Sequence, residues 1–182
     1  QKLEMIGTEG GFLSLTETLE LSGILLFSAP DYSLINGKLE LNDGSLLDVD
    51  YHTIIDSDIV LLGNTTVDVA QGVSLEYRGN AIDLLNYQLT FLGSGTFSNT
   101  NAILLSDSGS LLILAGDITI LLIEVTGNSA AGKGIRVESA NASVTNLNLL
   151  ADITNLNLLA NMGLTFSNEA YALNVENLNV NS

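Results

Sequence analysis

Cysteine and tryptophan are both absent from this chain of 182 residues. Without thiols, neither a disulfide framework nor a thiolate metal centre can form. Proline occurs once, at Pro30, so nearly every segment keeps the backbone N–H that a strand ladder needs. Basic side chains are scarce: five Lys and Arg stand against 21 Asp and Glu, a net charge of −16. Such a surface repels polyanions, so DNA, RNA and anionic lipid are not expected partners, whereas cations are drawn to it. Charged residues amount to only 14%, well under the roughly 25% of an ordinary domain. Aromatics, at 5%, are too few for the girdles of a membrane barrel. The most apolar run, Leu111 to Val125, is broken by Gly116, Asp117 and Glu124. It falls short of the ~20 apolar residues of a membrane helix, and no membrane insertion is expected.

What is present is apolar: 46% of residues are hydrophobic, which argues for a packed core and against disorder. The first residue is Gln1 rather than Met, as expected of a processed product or an excised piece. Together with the missing cysteines, this suits a bacterial protein that is secreted or held at the cell surface.

Strand signals run throughout. Leu13-Ser-Leu15, Leu19-Glu-Leu21, Leu39-Glu-Leu41, Val67-Asp-Val69, Ile118-Thr-Ile120 and Ile135-Arg-Val137 alternate apolar and polar residues, one face for a core and one for water. Gly, Asn, Asp or Ser ends each of them after a few residues. The chain is therefore expected to be all-β.

Internal repeats choose between all-β architectures. Gly79-Asn-Ala-Ile-Asp-Leu-Leu85 returns as Thr100-Asn-Ala-Ile-Leu-Leu-Ser106, and Gly95 and Gly116 keep the same spacing of 21. Val144-Thr-Asn-Leu-Asn-Leu-Leu-Ala-Asp152 is followed at once by Ile153-Thr-Asn-Leu-Asn-Leu-Leu-Ala-Asn161, with an echo at Asn177-Leu-Asn-Val180. Short strands repeating at about 20 residues predict a single-stranded parallel β-helix, a solenoid whose stacked coils build one continuous core. One solenoid domain over 1–182 is expected, with 1–50 as an irregular cap or first coils. A β-sandwich is the alternative. Asn146, Asn148, Asn155, Asn157, Asn177 and Asn179 are candidates for amide ladders at the corners of such a stack, or else are plain outward polar residues.

The stretches "GKGIRVESANASVTNLNLL" and "NAIDLLNYQLTFLGSGTF" resemble the parallel β-helices of bacterial surface proteins, phage tailspikes and pectate-lyase-like enzymes. The resemblance is architectural, covers roughly residues 55 to 182, and carries no signature of one family.

"GNSAAGKGI", residues 127 to 135, imitates the G-x-x-x-x-G-K-[ST] phosphate loop. Gly134 stands where the magnesium-binding Ser or Thr belongs, and a strand follows where the phosphates need a helix N-terminus. The glycines are expected to form a turn instead. Asp48, Asp50, Asp56 and Asp58 form the densest acid cluster. Each pair shares a strand face at i, i+2, and if the two strands lie side by side the four carboxylates converge on a hard cation such as calcium. Otherwise they are solvated outward groups. His52, the single histidine, has no second imidazole for a metal site and no serine pattern for a triad, and is expected on the surface.

Lyases of the resembled architecture use Arg or Lys against a uronate, often with calcium. Here only Lys2, Lys38, Arg78, Lys133 and Arg136 are available. Arg78 and Arg136 would share a face only if their coils align. Nothing identifies a reaction, and no catalytic residue is assigned. The repeating strands run on to the last residue without a polar cap, so an end that continues or pairs with another copy is expected. The expected function is an extracellular rod, a fibre or filament subunit or an adhesin stalk that associates with itself end to end. A polysaccharide-binding module, with Tyr32, Tyr51, Tyr77, Tyr87 and Tyr171 stacking on sugars, and a lyase-like enzyme are the alternatives.

Overall fold

The computed structural model describes residues 2–6, 10–125, 134–139, 141–149, 153–159 and 175–181. These contain strands and no helix, and coils recur about 22 residues apart. The first sheet stacks β1 (Lys2–Met5), β4 (Ile24–Phe27), β6 (Ser45–Val49), β8 (Thr65–Val69), β11 (Gln88–Gly93), β14 (Leu111–Leu114), β16 (Gly134–Val137), β18 (Ile153–Leu159) and β19 (Val175–Asn181). The second sheet comprises β2 (Phe12–Ser14), β3 (Thr18–Leu21), β5 (Tyr32–Leu41), β7 (Thr53–Leu61), β9 (Ser74–Tyr77), β10 (Ile82–Asp83), β12 (Thr96–Asn99), β13 (Ile103–Leu105), β15 (Thr119–Val125) and β17 (Ser143–Leu149). From β1 to β18 the chain passes from one sheet to the other in turn, the second sheet taking β2/β3, β9/β10 and β12/β13 as consecutive strands, and the pairings are parallel. The chain is a parallel β-solenoid, and the sandwich alternative, which needs antiparallel neighbours, is excluded.

Strict alternation makes the column. In β6, β7 and β8 every second side chain is buried, so like positions meet from coil to coil. Leu3, Leu25, Leu47, Val67, Phe91, Leu114, Val137, Leu158 and Val180 form one unbroken register row in the first sheet. Inside, Phe91 and Phe97 meet at 4.8 Å between ring centroids, with Tyr77 6.4 Å beyond Phe97. Packing there is dense: the void among Leu41, Ile55, Tyr77, Phe91 and their neighbours is only about 10 Å³, room for at most one water. Strands within the first 50 residues stack in the same two sheets.

The second sheet bends at a corner. β5 and β7 run through it, and β5 shifts register between Ile35 and Lys38, where Asn36 and Gly37 both take positive φ. In later coils the strand splits instead, into β9 with β10 and β12 with β13.

Stacking in register explains the repeats and corrects two of them. Ile82 of β10 lies beside Ile103 of β13, so the 21-residue repeat is one coil stacked on the next. Gly116 does not stack on Gly95 but on Gly93, where a Cβ on Gly116 would sit 1.9 Å from the Gly93 carbonyl oxygen. The coil there is longer than the sequence spacing of the glycines. The tandem TNLNLL segments, β17 and β18, belong to different sheets, so they are consecutive sides of the column and do not stack. Asn155 lies beside Asn177 and Asn157 beside Asn179, while Asn146 and Asn148 lie beside Leu122 and Glu124. The six asparagines are thus on strands rather than corners, and they make two register pairs rather than one ladder.

Side-chain ladders do occur at corners, with other residues. The Asn64 N–H donates to Asp43 Oδ1 at 3.0 Å, the Gln88 N–H to Asn64 Oδ1 at 2.9 Å, and the Gly109 N–H to Asn86 Oδ1 at 3.3 Å. Each Asx side chain satisfies a corner N–H in the next coil, which the turn geometry removes from the sheet ladder.

Candidate functional site

Four features of the surface were candidates for chemistry: the acid pairs, the basic residues, the histidine, and the ends of the column.

Asp48 lies on β6 with Asp50 just beyond it, whereas Asp56 and Asp58 lie on β7 in the other sheet. β6 pairs with β4 and β8, and β7 with β5 and β9, so the strands bearing the two acid pairs are not neighbours. Among the described residues no group of three or more His, Cys, Asp or Glu side chains is placed to hold a metal ion. Asp58 instead accepts hydrogen bonds from Asn80, from the backbone N–H at 3.2 Å and from Nδ2 at 2.9 and 3.0 Å. Asp48 stands beside Asp68 of β8. Partial burial, then the charges of Asp50 and Asp68, push its carboxyl above the ordinary value, with Lys2 pulling the other way.

Every described basic side chain is taken by an acid two residues away on its own strand face. Lys2 meets Glu4 at 3.2 Å, Lys38 meets Glu40 at 2.7 Å, Arg78 meets Glu76 at 2.8 Å, and Arg136 meets Glu138 at 2.7 Å. The Arg78 pair is bidentate and holds Glu76 below the usual carboxylate range. Arg78 follows β9 in the second sheet and Arg136 belongs to β16 in the first, so the structure does not bring them together. Lys133 and the glycines of the imitation phosphate loop before Gly134 lie outside the described residues, and Gly134–Val137 is a strand, as the sequence predicts.

His52 is exposed, as expected. Its Nδ1 faces the Ser74 carbonyl oxygen at 3.2 Å and also contacts the Ser74 hydroxyl. With a proton on Nδ1 the ring donates to the carbonyl, and without one it accepts from the hydroxyl, so either tautomer bonds Ser74. The ring is a tether between coils. Sequence spacing gives no hint of this contact, because 22 residues separate the partners. Of the described tyrosines, Tyr77 is in the core, Tyr32 and Tyr87 pack against it, and only Tyr51 is exposed; Tyr171 lies outside the described residues. The described tyrosines therefore make no row of sugar-stacking rings.

The first described coil is different. Large apolar side chains of the first coil face solvent: Ile6 is 71% exposed and Phe12 68%, with Leu3 and Leu13 also exposed. β1 pairs only with β4, and β2 only with β5, among the described residues. Their outer edges thus present unpaired backbone donors and acceptors, a template for another strand. Between β1 and β3 lies a hollow of about 370 Å³ lined by Lys2, Leu3, Leu19, Glu20 and Leu21. Sequence reasoning missed this site. The signal was there, in the apolar Met5, Ile6, Phe12 and Leu13 next to Gly10 and Gly11, but alternation alone cannot tell a first coil from an inner one.

No family model matches the chain, and no curated protein or solved structure matches it. Among the described residues no helix is long and apolar enough to cross a membrane.

Proposed function

We propose that this is a secreted or surface-exposed structural protein, a β-solenoid rod that serves as a fibre subunit or adhesin stalk and associates through its ends. The observation that carries this reading is the first described coil, where Leu3 is 39% and Leu13 36% exposed although their register partners Leu25 and Leu34 are fully buried. Completing that burial is favourable, at about 25 cal/mol per Å² of apolar surface covered, so covering this coil favours association. A rod that joins end to end uses two different surfaces, and such heterologous contacts propagate rather than close. The architectural resemblance to bacterial surface β-helices supports the same reading, and so does the exclusive pairing of the described cations, which leaves none of them directed at an acidic glycan. Negative-stain microscopy over a concentration series tests it: particles lengthen along one axis as concentration rises, whereas discrete particles of constant length at every concentration would overturn it.

A further inference from the structure

We propose that Asn36 is a site of spontaneous covalent modification, where the Asn36–Gly37 pair closes to a succinimide and reopens as aspartate or isoaspartate. The inference is independent of the end-to-end reading above.

Asn36 and Gly37 form the sole Asn-Gly dipeptide in the sequence. The step begins when the Gly37 nitrogen, having lost its proton to hydroxide, attacks Asn36 Cγ. A new C–N bond closes the imide ring, the bond from Cγ to Nδ2 breaks, and that nitrogen leaves as ammonia. Water then adds to either ring carbonyl and opens it. In sum, an amide and water become a carboxylate and ammonium.

The chemistry makes two demands: the Gly37 nitrogen must swing toward Cγ, and nothing must block it. Both are met at the bulge. The pairing of β2 with β5 ends at Ile35, that of β3 begins at Lys38, and that of β7 passes from Ile35 to Lys38. On both sides, among the described residues, Asn36 and Gly37 lack the register partners that would pin the peptide between them. Both are exposed, so hydroxide and water reach them, and glycine has no side chain to hinder attack. One exposed hydrogen bond, from Nδ2 to the Ser14 hydroxyl at 3.0 Å, holds the amide.

Asp43–Gly44 is open to the same ring closure and is equally exposed, yet it is restrained. The Gly44 N–H donates to the Asn64 carbonyl at 2.8 Å, and the Asp43 carboxylate accepts the Asn64 N–H at 3.0 Å. Nucleophile and electrophile are each tied to the next coil.

Conversion at Asn36 acts on the corner. It adds a negative charge close to Asp56, the register partner of Ile35. Isoaspartate also lengthens the backbone where a Cβ on Gly37 would already meet the Glu17 carbonyl oxygen at 2.6 Å. Both effects loosen β2 and β3 from β5.

The full chain is kept folded in mildly alkaline buffer and, in parallel, unfolded in urea, with circular dichroism following both. Each sample is then cleaved after Lys and Arg. Asn36 is the sole asparagine between Lys2 and Lys38, and Asp43 falls on the next peptide, which ends at Arg78, so mass spectrometry reads each site separately. The expected result is a deamidation mass gain on the Asn36 peptide at similar rates in both samples, with isomerisation of Asp43 confined to the unfolded one. An Asn36 peptide that stays unchanged in the folded protein overturns the proposal, whether or not the unfolded chain converts. Isomerised Asp43 in the folded protein overturns it as well, because bonds between coils would then not govern the chemistry.

Discussion

The side-chain amide of Asn99 replaces a missing piece of β-ladder for Leu122, one coil further along. Its Nδ2 donates to the Leu122 carbonyl at 3.0 Å, and its Oδ1 accepts the Leu122 N–H at 3.3 Å. The need arises at the corner. Phe97 pairs with Ile120 and Ile103 with Ile123, so β12 and β13 part just where β15 runs straight on. Asn99 is buried, so no water takes its place. Asn99→Ala is expected to cost about 2–6 kcal/mol, since it strands two buried backbone groups at roughly 1–3 kcal/mol each. Denaturant unfolding measures this, and Asn101→Ala serves as the comparison: it removes the single bond from Nδ2 to the Gly79 carbonyl, 2.7 Å.

Tyr77 is buried in the core, and its hydroxyl accepts the Ile59 N–H at 3.2 Å. Burial pushes its phenol up to about 12, against a smaller opposing effect of that hydrogen bond. An acid whose folded value is raised lends stability that is whole below its unfolded value near 10 and is lost as pH rises through about 12. Alkaline unfolding is therefore expected in that window, and a spectrophotometric titration should show Tyr77 ionising above the ordinary phenol range. Tyr77→Phe removes the ionisation but strands the Ile59 N–H, at a cost of about 1–3 kcal/mol at neutral pH.

Asp48 is raised as well, by burial first and then by Asp50 and Asp68. Its contribution is fully present below the unfolded value near 3.9 and is lost as pH rises through the folded value. At pH 7 the charged form is a burden, so Asp48→Asn should stabilise by about 0.5 kcal/mol, an amount kept small by solvent screening. The gain should vanish below about pH 4. Thermal melts of both proteins at pH 7 and pH 3.5 decide; an equal gain at both would contradict repulsion as its source.

Two glycines separate crowding from backbone strain. A Cβ on Gly116 meets the Gly93 carbonyl oxygen at 1.9 Å, whereas Gly44, at φ 76, has nothing within 4 Å. Gly116→Ala should cost about 3 kcal/mol or somewhat more, since backbone must move. Gly44→Ala should cost only the ~1–2 kcal/mol of a left-handed conformation. Urea midpoints of the two variants give the ordering.

Much of the fold was legible because a period of two, broken by Gly and Asn at repeating intervals, leaves few architectures open. The match of Ile82 with Ile103 needed only the 21-residue repeat. Register elsewhere was not legible, because coil length varies with what each corner must hold. The three residues Thr100, Asn101 and Ala102 between β12 and β13 look like any other turn until Asn99 is seen against Leu122. The acid cluster misled for a related reason. Asp50 and Asp56 are close in sequence, yet a corner falls between them and sends their strands to different sheets. The open first coil was hidden because its Leu13 and Leu15 alternate as well as any core strand.

The central claim is that the exposed first coil drives end-to-end association, and sedimentation velocity tests it most directly. At −16 each, subunits repel, so the measurement belongs at high salt, where charges beyond ~3 Å are screened at 1 M. The account predicts that the wild-type chain sediments as species that grow with concentration, while Leu3→Lys combined with Leu13→Lys stays at the 19.2 kDa of one chain. A wild-type chain that remains at 19.2 kDa across the whole range, or a double variant that grows just as readily, would contradict it.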